Sequence, residues 1–125
     1  VDLCTVGSKQ RMIGNYKFRC VDDTGGSVVV GFENHSGKTY LGADAKPLGQ
    51  VLAGFGNNGE DGTEGVRHKN LFGCYCHGPM LPKNPAFCDM LLQTALERRY
   101  GAVTLDPLDD RAELAAHDEM CAKLG

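Results

Sequence analysis

The chain contains no tryptophan, and aromatic residues make up only 7% of it. No uninterrupted apolar run approaches the ~20 residues that a membrane-spanning helix needs, so direct membrane insertion is not expected. A basic-then-apolar leader is missing from the start, which removes the usual sequence signal for secretion. Positive charge is not in excess, since 13 Lys and Arg face 16 Asp and Glu for a formal net charge of -3. Nucleic acid is therefore not an expected partner, because nothing offers the basic surface that a phosphate backbone requires. Repeats and low-complexity tracts are absent as well.

What is there is an ordinary globular composition, 42% hydrophobic and 23% charged over 125 residues. That length suits one domain with a real core, taken here as residues 1–125. Six cysteines form an even number, yet small disulfide scaffolds are loop-rich and poor in core, and this sequence is neither. Cys4, Cys20, Cys74, Cys76, Cys88 and Cys121 fall mostly at apolar positions of strands or helices, where a free thiol packs as a small hydrophobe. A cytoplasmic setting is expected. The chain starts at Val1 in what already reads as a strand, so it is expected to be part of a longer polypeptide.

The first half reads as strand and turn. Tyr16-Lys17-Phe18-Arg19-Cys20 alternates apolar and basic residues, as a strand with one wet face would. A turn is expected at 22–26, and Val28-Val29-Val30-Gly31-Phe32 is a β-branched run suited to burial on both faces. Shorter strands are expected at 38–41 and 50–52. The stretch 54–65 holds five glycines in twelve residues and reads as a surface loop. It lacks the Gly-Lys-Ser/Thr ending of a phosphate loop. A strand over 71–77 follows.

Beyond His77 the apolar period changes to that of a helix. Asn84 is a good N-cap, Pro85 suits the first helical position, and Gly101 suits the stop. Phe87, Leu91 and Ala95, flanked by Met90 and Thr94, make one face. A second amphipathic helix is expected over 110–123, with Leu114, His117, Cys121 and Leu124 on one side.

Several residues are candidates for chemistry. His77 stands where the strand breaks at Gly78-Pro79, and reads either as a strand-end histidine satisfied by local backbone or as a general base. Cys74 and Cys76 are adjacent to it, but a Cys-x-Cys on a strand does not give the knuckle spacing of zinc sites, so no metal is expected. Glu33-Asn34-His35-Ser36-Gly37 reads as a polar hairpin turn or as part of a site. Arg11 is either solvated or a bidentate grip on a carboxylate. His68 and His117 read as surface and helix residues. No cysteine occupies the partly exposed strand-to-helix elbow that activates a thiolate.

Three segments together carry a family resemblance. They are Gly31-Phe32-Glu33-Asn34-His35-Ser36-Gly37-Lys38-Thr39-Tyr40, Gly54-Phe55-Gly56-Asn57-Asn58-Gly59-Glu60-Asp61 and His77-Gly78-Pro79-Met80-Leu81-Pro82-Lys83-Asn84-Pro85. In order and spacing they resemble the cobyric-acid-synthase-type class I glutamine amidotransferases. Within that family they look most like the amidotransferase subunits of lipid II isoglutaminyl synthases. The resemblance implies an α/β fold, the C-terminal portion of a flavodoxin-like class I amidotransferase fold, with several strands followed by two helices.

It also implies a mechanism. An elbow cysteine attacks the side-chain amide of glutamine, and a histidine serves as base and then as acid to the departing ammonia. The thioester is hydrolysed, and ammonia passes to a partner, a Mur-ligase-like synthetase subunit that amidates the stem-peptide glutamate of lipid II. His77 matches the catalytic histidine and Arg11 the arginine that holds substrate glutamine. No cofactor is implied. The family carries its nucleophile in a part of the fold ahead of this chain's first residue, so these 125 residues alone are expected to be inactive. Two alternatives are an amidotransferase for a cobalamin-type precursor and a non-catalytic docking module.

Overall fold

The computed structural model describes residues 1–21 and 26–125. The turn expected at 22–26 lies, apart from Gly26, outside the described residues. Two long antiparallel strands organise the rest. β1 spans Leu3–Cys20 and β2 spans Val28–Leu41, with Arg19 opposite Val28 at one end and Leu3 opposite Leu41 at the other. The sequence suggests strands at 1–6 and 16–20 and a polar turn at 33–37. Instead each of β1 and β2 runs unbroken through its polar middle. β2 can do so because Glu33 and His35 in its middle are buried with partners inside the molecule, as described below.

The register is not uniform. Gly7 pairs with Gly37 and Met12 with His35, so Ser8, Lys9, Gln10 and Arg11 oppose Ser36 alone. Such a bulge bends its strand and re-aims the side chains on it. Ser8 Oγ accepts the Gln10 N–H at 3.0 Å within it.

β3 (Gly49–Ala53) pairs with the end of β1, and β4 (Thr63–Glu64) pairs with β3. The sheet order is β2-β1-β3-β4, with every pairing antiparallel. A separate two-stranded hairpin follows, β5 (Val66–His68) with β6 (Leu71–Gly73). Then come a 3-10 turn at Leu81–Lys83, α1 (Pro85–Tyr100) and α2 (Arg111–Lys123). Strands followed by two helices is the order the sequence leads one to expect.

The core joins Tyr16, Phe18 and Cys20 of β1 to Val29, Leu48 and Phe87, with Phe72, Cys76, Met80, Met90 and Leu91 packed around them. Val29 and Val30 are both fully buried, as the β-branched run predicts. Lys17 departs from its expected wet face. It is only 9% exposed, because its Nζ donates to the carbonyls of Cys121 at 3.3 Å and Gly125 at 2.6 Å. A cation there complements the C-terminal end of α2.

Helix α1 begins with Pro85 at its first turn and stops at Gly101, as expected. Asn84 precedes it but does not cap it with its side chain. The Asn84 amide instead accepts the Val30 N–H at 2.8 Å and donates to the Val30 carbonyl at 2.8 Å and the Met80 carbonyl at 2.7 Å. It imitates a strand residue. No helix among the described residues is long and apolar enough to cross a membrane.

Candidate functional site

β2 is the spine of the site. Side chains alternate along a strand, and one face of β2 points Glu33 and His35 inward, where both are buried. Glu33 is 1% exposed and accepts the backbone N–H groups of Phe55 at 2.7 Å and Gly56 at 3.0 Å. A carboxylate inside a protein is costly unless it is hydrogen-bonded, and these two donors supply that compensation while pinning the glycine-rich loop. His35 Nε2 lies 3.5 Å from Glu33 Oε2. His35 Nδ1 meets the Gly37 carbonyl at 2.9 Å, and its ring stacks on Tyr75 with centroids 3.7 Å apart. The expected hairpin turn is thus part of an unbroken strand, with Glu33 and His35 buried side by side.

The loop 54–65 is braced rather than loose. Asn57 Nδ2 donates to Thr63 Oγ1 at 3.1 Å and the Gly65 carbonyl at 2.9 Å, while its Oδ1 accepts the Gly65 N–H at 2.8 Å. Asn58 reaches the Thr39 carbonyl at 3.0 Å. Gly56 has φ +67, and a Cβ there would run into the Thr63 carbonyl oxygen. Only glycine fits that position without strain.

The other face of β2 carries Phe32 and Asn34. His77 forms an isolated antiparallel bridge to Phe32, with its N–H on the Phe32 carbonyl at 2.7 Å and its carbonyl taking the Phe32 N–H at 3.4 Å. Directly opposed residues of an antiparallel pair project to the same side. His77 therefore shares a face with Phe32 and Asn34 and is exposed. Its imidazole makes no hydrogen bond among the described residues. Arg11, aimed out of the β1 bulge, donates from Nε to Asn34 Oδ1 at 2.7 Å. The structure brings the two sequence candidates to one strand, because Phe32 holds the backbone of His77 and Asn34 holds the guanidinium of Arg11. Two residues along a strand is about 7 Å.

The expected strand over 71–77 is corrected. β6 ends at Gly73, and 74–76 belong to no strand. The Tyr75 N–H goes to the buried carboxylate of Glu64 at 2.8 Å instead of to a ladder partner. Gly31 leaves room for this approach, since a Cβ on it would collide with the Cys76 sulfur.

No disulfide joins any of the six cysteines, all of which lie among the described residues. Cys74 and Cys76 do not act as a pair: the Cys76 sulfur turns toward the Val30 carbonyl at 3.9 Å, and the Cys74 sulfur toward Met80 at 3.7 Å. Burial pushes the Cys76 thiol up to about 12, far from a thiolate at neutral pH. His68 is exposed. His117 is half-buried on α2, with Nδ1 on the Lys83 carbonyl at 2.9 Å and Nε2 3.4 Å from the Cys121 sulfur.

Sequence reasoning gave no role to Glu64, read Asn84 as an N-cap and placed Lys17 on a solvated strand face. Glu64 is fully buried, with Oε1 accepting the Tyr16 hydroxyl at 3.1 Å as well as the Tyr75 N–H. Burial pushes its carboxyl up to about 7. The same burial, reinforced by Glu64, pushes the Tyr16 hydroxyl far above its ordinary value, so it stays a donor. A lone glutamate after a glycine-rich loop carries no local signal of this.

Comparison with known proteins shows the family. Residues 1–85 match the CobB/CobQ-like glutamine amidotransferase domain, and the chain belongs to that family. It is 43% identical over 116 residues to the GatD subunit of lipid II isoglutaminyl synthase (glutamine-hydrolyzing) from Staphylococcus aureus, covering 93% of this chain and 46% of that protein. The Streptococcus pneumoniae GatD subunit is 47% identical over 94 residues, 75% of this chain and 35% of its own length. A probable cobyric acid synthase of Methanothermobacter thermautotrophicus is 38% identical over 103 residues, 82% of this chain and 19% of that protein. The chain thus spans less than half the length of each of these relatives.

Proposed function

We propose that this chain supplies the base and the substrate-orienting half of a glutaminase whose ammonia is used by a Mur-ligase-like synthetase subunit to amidate the stem-peptide glutamate of lipid II. The observation that carries the reading is the placement of His77 and Arg11 on one face of β2, one through Phe32 and the other through Asn34. Names borne by the two GatD relatives support both the chemistry and the acceptor.

The chemistry follows from the groups. Arg11 presents a planar fork to the α-carboxylate of glutamine. A thiol nucleophile, proposed to lie outside these residues because none of the six cysteines is placed for it, gives its proton to His77 and attacks the amide carbon. His77 returns the proton to the departing ammonia, leaving a thioester. Water activated by the same imidazole then releases glutamate. Six cysteines without a disulfide fit a cytoplasmic setting. The archaeal relative keeps a second acceptor in view, a cobalamin-type precursor.

The test is glutamate release from glutamine by the full-length protein with its synthetase partner. His77→Ala should lower kcat by about 10³-fold or more. Arg11→Met should act mainly on KM. Release of glutamate by the 125 residues alone, abolished by His77→Ala, would overturn the proposal that the nucleophile lies elsewhere. Copurification with a cobalamin-type synthase would replace the acceptor.

A further inference from the structure

We infer that Glu64 is a positioning residue that sets the place of the His77 imidazole through the backbone of Tyr75. The inference rests on the base role proposed for His77.

A base must be held to within about 0.5 Å of its working position. The His77 ring is exposed and takes no hydrogen bond from the described residues, so its placement must come through its main chain. On one side that main chain is bridged to Phe32. On the other, 74–76 lie outside any strand, and a side chain does the work of a ladder partner. Glu64 Oε1 receives the Tyr75 N–H at 2.8 Å, two residues before His77. Tyr75 is fixed further by its stack on His35 and by its hydroxyl 2.7 Å from Thr39 Oγ1. The strap from Tyr75 to His77 is therefore tied to β2 at its end and to Glu64 at its start.

Glu64 is an expensive way to make that tie. The residue is fully buried, and its Oε2 has no hydrogen-bond partner among the described residues. A buried polar atom left unpaired costs free energy, so stability alone would favour a smaller or fully satisfied group. What Glu64 supplies is reach: from the end of β4 its Oε1 takes both the Tyr16 hydroxyl and the Tyr75 N–H. Glutamine at this position would keep the same acceptor, whereas leucine would keep the volume and lose it.

The experiment is steady-state glutamine hydrolysis by the full-length protein carrying Glu64→Leu, Glu64→Gln or His77→Ala, with folding checked by circular dichroism. A displaced base costs on the order of 10- to 100-fold in rate. Glu64→Leu should lose that much in kcat while KM for glutamine moves less than about threefold. Glu64→Gln should stay within about threefold of wild type in both, with the same pH profile for the base. A folded Glu64→Leu protein with unchanged kcat overturns the inference alone. If the leucine variant does not fold, a folded Glu64→Gln protein decides it, and a loss of more than about tenfold in kcat there overturns it equally. Full activity in His77→Ala would bring down the base role itself and this inference with it.

Discussion

Both parts of the chain expose apolar side chains, but up to Glu64 it also buries polar ones, and past Pro85 it buries none. In the strand region Lys17, Glu33, His35, Thr39, Asn57, Asn58 and Glu64 are buried, each held by partners from another element or loop. Past Pro85 only Phe87 is buried, while Leu92, Tyr100, Leu108 and Leu114 are 50%, 66%, 79% and 48% exposed. The two regions are therefore held by different forces. One gains its unique geometry from a nearly saturated hydrogen-bond network, in which every missing partner is expensive. The other is attached through Phe87, Met90 and Leu91 of α1, through His117 on the Lys83 carbonyl, and through Lys17 at the end of α2. The site sits in the first region, where a displacement of one group is transmitted to its neighbours.

The contrast can be broken first at the attachment of α1. Phe87→Ala should cost about 3–5 kcal/mol, whereas Leu92→Ala, one turn and a half further along, should stay within about 0.5 kcal/mol. Equilibrium unfolding in denaturant measures both, and equal costs would show that α1 is packed along its whole length. A second measurement probes the polar interior. Glu64 titrates near 7 in the folded protein, against an ordinary value of 4.5, so between those values the folded state holds the proton and the unfolded state has lost it. Stability should accordingly fall by about 3 kcal/mol as pH rises through that window and level off above it. In Glu64→Gln this fall should disappear. A third and smaller effect tests how the tail is tied down. Lys17→Met removes the donor to the end of α2 and should cost about 1 kcal/mol, visible as faster hydrogen exchange in the last turn of that helix.

Where local pattern decides structure, the sequence is a good guide. Pro85 and Gly101 mark the ends of α1 because they act through their own backbone preferences. His77 stands out because a family motif begins at it, and Arg11 because the resemblance matches it to an arginine that holds substrate. Legibility fails where a long-range partner decides. Nothing near Lys17 says that a helix terminus more than a hundred residues away will need a cation. Asn84 looks like an N-cap because an asparagine before proline usually is one, and only the unpaired edge of β2 at Val30 gives it a different task. The unbroken run of β2 through Glu33 and His35 is hidden for the same reason, since the groups that satisfy them come from the glycine-rich loop and from Tyr75.

One consequence concerns the outer margin of the sheet. β2 is an edge strand, and an open edge invites a second chain to add itself and start aggregation. Here the outward amide and carbonyl of Val30 are both engaged by the Asn84 side chain, and those of Phe32 by His77. Neither contributor is a strand, so the margin is plugged without being extended. The residues that present the imidazole thereby also act as a guard against self-association along that border.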